Sequence, residues 1–330
     1  MSAKSANLVS FVIPVYNEEA VLPVFFERMD ALLGEFGADV EVILVNDGSV
    51  DASLDLLRGK SQTDPRYITR DLSRNFGHQI AITAGIDAAR GDAVIIMDAD
   101  LQDPPEIALE MIAVWRQGAQ VVSARRRRRE GETFFKRATA KLYYQLLSRL
   151  SPVKMLEDVG DFRLIDRQVV DALRSMKEHN RYLRGMISWV GYKHAEVLYD
   201  RHERAAGASK YTLNSMALLA SNGVIAFSEV PLRIALWFGL CVSMASFAAV
   251  IWVLLGVILG GEMVSGWAST MIMLSLLSGV QLLTIGVVGL YVGRIYNEVK
   301  GRPLYFVNAE MDVAIQPAVE FLTAPTARQT

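Results

Sequence analysis

Residues 93–103 read AVIIMDADLQD, an apolar run that ends on an acidic cluster. The run from Ala93 to Met97 is short, contains β-branched residues and has no polar side chain, which is typical of a strand buried on both faces of a sheet. Asp98 and Asp100 follow, separated by one residue. Because open α/β sheets bind ligands at the carboxyl ends of their strands, this stretch predicts a fold class and a site together.

On both sides of this stretch, short apolar runs alternate with longer segments of helical spacing. The predicted strands are Leu8–Pro14, Val40–Asn46, Tyr67–Asp71, Ala93–Asp98 and Val121–Ala124. The predicted helices are Glu18–Leu33, Ala52–Leu57, Gln79–Ala89 and Pro105–Gln117. This alternation predicts an α/β domain with a mostly parallel sheet.

Polar clusters follow three of the predicted strands. They are Asn17-Glu18-Glu19, Asn46-Asp47-Gly48-Ser49 and the segment from Asp98 to Asp103. One such cluster alone is more often a helix cap or a turn than a site. Three clusters at the same edge of one parallel sheet predict a shared pocket.

The third cluster predicts a divalent metal. Carboxylates at the spacing of Asp98 and Asp100 suit Mg²⁺ or Mn²⁺, and magnesium binds one or two carboxylates together with substrate phosphates. The chain has no G-x-G-x-x-G motif, and Gly59-Lys60-Ser61 lacks the earlier glycine of a P-loop because residue 54 is Leu. We therefore expect a nucleotide to be held by carboxylates and metal.

The last third of the chain is apolar. No charged residue occurs from Ile234 to Gly261, and after Glu262 none occurs before Arg294. Each interval exceeds the roughly 20 residues that cross a bilayer as a helix, so residues 234–259 and 267–292 are predicted transmembrane helices. Cationic residues flank the pair, with Arg233 before it, which predicts a cytoplasmic catalytic domain and cytoplasmic termini.

Residues 211–232 precede these helices and lack a long apolar run. Their apolar residues recur at helical spacing among Asn and Ser, which predicts interfacial amphipathic helices rather than a third span. The expected organisation is a cytoplasmic catalytic domain over 1–210, interfacial helices over 211–232, a two-helix transmembrane hairpin over 233–294 and a cytoplasmic tail over 295–330. Small-residue spacings at Gly256/Gly260 and Gly289/Gly293 would allow a homo-oligomer.

The overall composition excludes several classes of protein. The 330 residues carry 34 Lys and Arg against 36 Asp and Glu, and 52% are hydrophobic, which excludes a disordered chain. A net charge of −2 gives no electrostatic reason to expect a nucleic-acid partner. The single cysteine, Cys241, excludes an internal disulfide.

Several strings together resemble family 2 inverting glycosyltransferases of GT-A fold. The nucleotide half carries Val12-Ile13-Pro14-Val15-Tyr16-Asn17-Glu18-Glu19, Val45-Asn46-Asp47-Gly48-Ser49 and Asp98-Ala99-Asp100-Leu101-Gln102-Asp103. Further strings resemble the polyprenyl-phosphate branch, which includes dolichyl-phosphate mannose synthases and, closer here, bactoprenol glucosyltransferases: Gly160-Asp161-Phe162-Arg163-Leu164, Arg181-Tyr182-Leu183-Arg184-Gly185 and Arg204-x-x-Gly207-x-Ser209-Lys210-Tyr211.

This resemblance implies roles for individual residues. It implies that the donor nucleotide sugar is bound by Pro14, Tyr16, Glu18, Asp47, Asp98, Asp100 and Gln102. Asp98, Asp100 and Gln102 would also hold the metal, and Asp98 would take part in catalysis on the sugar side. Asp158 or Asp161 would lie near the acceptor as a candidate base, with Asp161 preferred.

The acceptor side needs cations more than it needs a base. A phosphate monoester with a second pKa of about 6 is largely dianionic near neutral pH and attacks without losing a proton. Candidate contacts to the acceptor or the diphosphate are Arg126, from the run Arg125–Arg129, with Arg163, Arg204, Ser209 and Lys210. His78 is assigned no chemistry, because the other histidines are scattered and form no metal-binding spacing.

The function expected is inverting transfer of a hexose, glucose from UDP-glucose, to undecaprenyl or another polyprenyl phosphate on the cytoplasmic leaflet of the membrane. The sugar follows from the resemblance alone. Three alternatives stay open: a transferase using GDP-mannose or a formamido-arabinose donor, a processive polysaccharide synthase, and a non-catalytic membrane scaffold that binds nucleotide sugars. The synthase is disfavoured because Arg-Trp, part of its Gln-x-x-Arg-Trp motif, does not occur.

Overall fold

The computed structural model describes residues 8–36, 39–126, 159–199, 230–258 and 266–308. Its centre is a seven-stranded sheet of order β3-β2-β1-β4-β6-β5-β7. The strands are β1 (Leu8–Val15), β2 (Asp39–Asn46), β3 (Tyr67–Asp71), β4 (Ala93–Ile96), β5 (Val121–Arg126), β6 (Val159–Asp166) and β7 (His194–Tyr199).

Six helices belong to the sheet domain and two long ones follow it in the described residues. They are α1 (Leu22–Leu33), α2 (Ser53–Thr63), α3 (His78–Ala88), α4 (Ile107–Arg116), α5 (Arg167–Ser175), α6 (Leu183–Trp189), α7 (Val230–Ile258) and α8 (Trp267–Val299). Phe25 of α1, Leu57 of α2 and Trp115 of α4 pack on one face of the sheet. Ile82 of α3 and Val170 of α5 pack on the other, so the domain has three layers.

The half of the sheet formed by β1 to β4 is parallel, as the sequence predicts. Strands β1, β2, β3 and β4 pair in parallel, with Val9 opposite Val40 and Ala93 on either side. The central strands are buried on both faces, which explains why β1 and β4 are almost continuously apolar. Their carboxyl ends therefore lie along one edge, where the three polar clusters were expected.

The second half of the sheet differs from the prediction. Strand β6 lies between β4 and β5 and runs antiparallel to both, while β5 and β7 pair in parallel. Neither β6 nor β7 was predicted, because β6 contains Asp161, Arg163 and Asp166 and so lacks an apolar run. The insertion of β6 beside β4 brings Asp161 to the edge that carries Asp98.

The two long helices occupy the positions predicted for the transmembrane pair. Within the described residues, Leu276–Val299 of α8 is apolar and long enough to cross a membrane, by length and composition only. Both helices expose many large apolar side chains, among them Trp237, Phe247 and Leu282. That the two helices span a membrane, and the domain boundaries themselves, remain predictions.

Candidate active site

The first two polar clusters interlock at the carboxyl ends of β1 and β2. The backbone N–H of Asn17 donates to Ser49 Oγ at 3.1 Å, and Asn17 Oδ1 accepts the N–H of Val50 at 2.9 Å. The N–H of Glu18 donates to Ser53 Oγ at 2.8 Å. These bonds join the two turns into one wall, as the shared edge predicts. Pro14 is buried in β1, and Tyr16 is 39% exposed at the rim.

Asp47 fixes a third turn to this wall. Its two carboxylate oxygens accept the N–H groups of Phe76 and Gly77 at 2.7 and 3.0 Å. Burial raises the pKa of Asp47, although these bonds oppose the shift. Gly48 has a φ of +68°, and a Cβ there would lie 2.5 Å from the backbone carbon of Arg74. The loop after β3 therefore packs directly on the Asp47 turn.

The acidic cluster after β4 contains a buried carboxylate oxygen that accepts no hydrogen bond from the described residues. Asp98 Oδ1 is buried and has no hydrogen-bond donor among the described residues. Burial raises the pKa of Asp98 to about 6, and the nearby Asp161 and Asp100 raise it while His78 lowers it. Asp100 Oδ1 accepts the N–H of Gln102 at 3.1 Å, and the intervening Leu101 has a φ of +56°. The cluster is thus a tight turn with excess negative charge.

His78 lies against this carboxylate, at the first position of α3. Its Nε2 is 3.6 Å from Asp98 Oδ1 and 3.4 Å from Asp161 Oδ2. Burial by itself lowers the pKa of His78, but Asp161 and Asp98 outweigh it and the pKa is raised. The structure thus places His78 between two predicted site carboxylates, a position that the spacing of the histidines in the sequence does not indicate.

The sequence held a signal for His78 that a spacing search does not detect. His78 follows Gly77, which has a φ of +100°, in the turn after β3. That turn is another strand end at the same edge of the parallel sheet. Counting strand ends, rather than searching for metal-binding histidine pairs, would have placed His78 in the site.

Asp161 is tied to Arg184 as well as to His78. Arg184 Nε donates to Asp161 Oδ1 at 2.7 Å and its Nη2 donates to Oδ2 at 3.0 Å, a bidentate pair. Burial by itself raises the pKa of Asp161, but His78, Arg184 and Arg163 lower it well below the usual range. A carboxylate held ionised by these partners is a weak proton acceptor, which argues against the expected role of Asp161 as a base.

Arg163 is not an open acceptor-side cation. It is 4% exposed, and its Nη2 donates to the carbonyl of Gly160 at 2.7 Å. Burial lowers the pKa of Arg163 to about 10, so it stays charged at neutral pH. We correct its expected role: Arg163 supports the Asp161 turn from within the sheet. Asp158, Arg204, Ser209 and Lys210 lie outside the described residues, as does the side chain of Arg126.

The residues of this edge fit a divalent cation that is shared with a substrate. Among the described residues no group of three or more His, Cys, Asp or Glu side chains is arranged to hold a metal by itself. Magnesium commonly takes only one or two carboxylates and completes its shell with water and phosphate. Asp98 Oδ1 accepts no hydrogen bond among the described residues and has only His78 near it as a basic group, and burial raises the pKa of this carboxyl, as expected of a carboxylate that a cation could neutralise.

Comparisons with known proteins show the family of this chain. Residues 10–174 match the family described as glycosyl transferase family 2. The chain is 47% identical over 298 residues to an uncharacterised glycosyltransferase of Bacillus subtilis, YkcC, covering 90% of this chain and 92% of that protein. It is 40% identical over 299 residues to the SfII prophage-derived bactoprenol glucosyl transferase of Shigella flexneri, covering 91% and 97%.

A looser likeness extends to solved structures. The glucosyl-3-phosphoglycerate synthase of Mycobacterium tuberculosis aligns with a TM-score of 0.47 at 20% identity, over 67% of this chain and 78% of that one. The assignment rests on the sequence matches and on the sheet with its acidic edge. The chain is a glycosyltransferase and belongs to glycosyl transferase family 2.

Proposed function

We propose that this enzyme transfers glucose from UDP-glucose to undecaprenyl or another polyprenyl phosphate at the cytoplasmic face of a membrane, with inversion at the sugar. The proposal rests on the share of this chain that aligns with proteins named bactoprenol glucosyl transferase. The match covers 91% of this chain at 40% identity, well beyond the residues 10–174 that match the family. A match of that extent supports a shared acceptor chemistry as well as a shared donor domain.

The donor is proposed to lie along the wall formed after β1 and β2. Pro14, Tyr16, Glu18 and Asp47 would contact the nucleoside, with Tyr16 exposed at the rim. Both oxygens of Asp47 already accept backbone N–H groups, so any contact to uracil or ribose would use its remaining lone pairs. Asp47 therefore both shapes the pocket and offers an acceptor to the ligand.

Asp98, Asp100 and Gln102 are proposed to hold Mg²⁺ or Mn²⁺ together with the donor diphosphate. The metal, when bound, would neutralise the charge that develops on the departing diphosphate. The carboxylates would also orient the sugar so that its anomeric carbon faces the acceptor. His78 places an N–H donor beside Asp98, at 3.6 Å from its Oδ1, where it limits the repulsion between Asp98 and Asp161.

The acceptor reaction needs no general base. An oxygen of the lipid phosphate attacks the anomeric carbon, the bond from that carbon to the diphosphate oxygen breaks, and the diphosphate leaves with its electron pair. The attacking phosphate is already dianionic near pH 7, so no proton has to be removed. We assign Asp161 to orienting His78 and Arg184 instead, and Asp158 stays a proposed acceptor-side residue.

Cations are proposed to line the acceptor side, because two anionic substrates must meet there. Arg126, Arg204, Ser209 and Lys210 are the proposed contacts to the lipid phosphate, and Arg163 supports the turn behind Asp161. We place α7 and α8 across the bilayer, residues 211–232 at the interface, and the catalytic domain and both termini in the cytoplasm. The lipid phosphate then arrives at the depth of the headgroups.

A donor panel tests this proposal. Purified protein in lipid nanodiscs is given undecaprenyl phosphate and Mg²⁺ with UDP-glucose, UDP-N-acetylglucosamine or GDP-mannose, and the lipid is analysed by mass spectrometry. The proposal predicts that the lipid gains a hexose from UDP-glucose. Transfer from GDP-mannose alone would instead support the related transferase, and no transfer from any donor would overturn the lipid acceptor.

A further inference from the structure

The chain returns to the catalytic domain after α8. Gly301, with a φ of +59°, turns the chain, and residues 301–308, here called the strap, run along the edge strand β3. Val307 forms an antiparallel bridge with Leu72, and the N–H of Ser73 donates to the carbonyl of Phe306 at 2.9 Å. The strap therefore extends the sheet by strand addition at the end of β3.

The base of the strap is fixed by a histidine in the loop between α5 and α6. The backbone N–H of His179 donates to the carboxylate of Glu298 at 2.9 and 3.0 Å, and its Nδ1 lies 3.1 Å from the same carboxylate. His179 Nε2 lies 2.5 Å from the carbonyl oxygen of Arg302. Farther along, the hydroxyl of Tyr305 donates to Asp87 at 3.0 Å. The end of α8 and the strap thus dock as a unit.

The tip of the strap enters a buried line of hydrogen bonds. The N–H of Asn308 donates to the backbone carbonyl of Asp71 at 2.8 Å, and Asn308 Nδ2 donates to Asp71 Oδ2 at 2.8 Å. Asp71 Oδ1 accepts Asn46 Nδ2 at 2.7 Å, and Asn46 Oδ1 accepts the N–H of Ser49 at 3.2 Å. Asp71 is 5% exposed and Asn46 is 1% exposed, so the bond between them is shielded from water, while Asn308 closes the line from the exposed side.

This line ends at the proposed donor pocket. Asn46 precedes Asp47, and Ser49 Oγ accepts the N–H of Asn17, so the relay reaches both turns of the donor wall. A second path runs through the loop after β3: the strap holds Ser73 at its start, and Asp47 holds Phe76 and Gly77 at its end. Both ends of that loop are therefore tied, one to the strap and one to the pocket.

On the basis of the function proposed above, we propose that Asn308 is a positioning residue for the nucleotide sugar, acting through Asp71 and Asn46 on the turn that carries Asp47. Asn308 and Asp71 are 237 residues apart in the sequence. The segment that follows the second long helix therefore completes a pocket whose other residues lie near the start of the chain. Donor binding then depends on the docked strap, while the reacting groups around Asp98 do not touch it.

The test uses two single substitutions in the strap of the full-length protein. Asn308→Asp keeps the size of the side chain but places a second carboxylate against Asp71, and Asn308→Ala only removes the donor. We expect either change to raise the KM for the nucleotide sugar about tenfold, as loss of a hydrogen bond to a buried charge would. The kcat should stay within about twofold, because the groups at the reacting centre are unchanged.

Tyr305→Phe is the matched control. It removes the bond to Asp87 from the same strap but leaves the line from Asn308 to Asn46 intact. We expect its KM for the donor to stay within about twofold of the wild-type value. If Tyr305→Phe and Asn308→Asp change KM equally, the strap only stabilises the fold and the positioning role is wrong, and the same holds if neither changes it.

Binding of UDP and of GDP, each measured by calorimetry with Mn²⁺ present, separates this inference from the proposed function. If the wild type binds one of them and Asn308→Asp binds it about tenfold more weakly, the inference holds even when no sugar reaches the lipid. If Asn308→Asp binds the nucleotide as well as the wild type does, the inference fails whatever the acceptor is. If the wild type binds neither nucleotide, both the proposed function and the inference fail.

Discussion

At the scale of single residues, Asp98 is the group on which the chemistry depends most. Its Oδ1 is buried without a hydrogen-bond donor among the described residues, which is unfavourable unless a cation binds. We expect Asp98→Asn to lower kcat/KM by about 100-fold or more, since it removes the charge that would hold the metal and diphosphate. Steady-state kinetics with UDP-glucose measure this loss.

The control for this substitution is Asp55→Asn on α2. The side chain of Asp55 is 83% exposed and lies 4.0 Å from Arg58. Its removal should leave kcat and KM unchanged. Equal activity of the Asp98 variant and the wild type would remove the metal role from this carboxylate.

The raised pKa of Asp98 also predicts a pH dependence in the metal-free protein. Because burial raises this pKa to about 6, the proton competes with a cation, and Mn²⁺ affinity should fall about tenfold per pH unit below pH 6. The same raised pKa means that the ionised carboxylate destabilises the folded state. This destabilisation is present above pH 6 and is lost as the pH falls towards the pKa that Asp98 has in the unfolded chain. Asp98→Asn should therefore raise the Tm at pH 8 and not at pH 4.

Calorimetric titration with Mn²⁺ and thermal unfolding across this range measure both effects. If the Mn²⁺ affinity does not change between pH 5 and pH 7, Asp98 is not the titrating group. The same conclusion follows if the difference in Tm between Asp98→Asn and the wild type is the same at pH 4 and at pH 8.

His78 gives the next prediction at this scale. We expect His78→Ala to lower kcat by about 10-fold to 100-fold, because Asp98 and Asp161 then face each other without the ring between them. His78→Gln, which keeps an N–H donor, should recover part of the loss. If both variants have wild-type kcat and only a lower Tm, His78 is a structural residue, as the sequence first suggested.

At the scale of elements, the turn at Gly48 decides how closely the loop after β3 can approach the donor wall. Gly48 has a φ of +68° and a Cβ there would meet backbone atoms at 2.5 Å. We expect Gly48→Ala to destabilise the protein by about 1–3 kcal/mol and to weaken donor binding, since Asp47 would lose its fit to the loop. Chemical unfolding and nucleotide titration measure the two effects.

Gly59→Ala is the matched control for that substitution. Gly59 lies within α2, and a Cβ there would meet nothing within 4 Å. Alanine should therefore stabilise the helix by about 0.5–1 kcal/mol and leave donor binding unchanged. Two glycine substitutions with the same effect would show that the Gly48 turn does not shape the pocket.

The sequence predicted those strands whose residue pattern is typical of a sheet. β3 was predicted at its observed bounds, and β1, β2 and β4 within two residues. β1 and β4 are central strands buried on both faces and therefore nearly continuously apolar, whereas the edge strand β3 alternates buried and half-buried residues. β6 was missed because its pattern mixes apolar residues with Asp161 and Arg163. In the fold, Asp161 accepts hydrogen bonds from Arg184 and Arg163 donates to the carbonyl of Gly160, and the sequence does not show these contacts. The contact of His78 with Asp161 could not be predicted without β6, although the strand end after β3 already indicated its contact with the edge that carries Asp98.

At the scale of the whole molecule, we propose that the two long helices and the strap set where the catalytic edge lies relative to the lipid. The proposed topology puts the connection between the helices on the outer side and the strap in the cytoplasm. In a Cys241→Ala background, a membrane-impermeant maleimide should label Glu262→Cys from outside intact cells and Lys300→Cys only after lysis. Labelling of Lys300→Cys from outside would reverse the orientation, and the donor would then be out of reach.

The charge balance of the molecule also belongs to this scale. A net charge of −2 and a site that gathers Asp98, Asp100 and Asp161 do not by themselves attract two anionic substrates. The proposed function therefore requires the metal on the donor side and cations on the acceptor side. The sequence predicted that division from substrate chemistry, but it could not place the cations, because Arg163 turned out to be buried behind Asp161.

The most direct measurement is the anomeric configuration of the sugar on the lipid product, determined by NMR after incubation of the enzyme with UDP-glucose, undecaprenyl phosphate and Mg²⁺. A single displacement by the lipid phosphate on the α-linked donor predicts β-linked glucosyl phosphate and no other sugar-bearing lipid. An α-linked product, or glucose released to water with no sugar on the lipid, would contradict a direct attack by the acceptor phosphate.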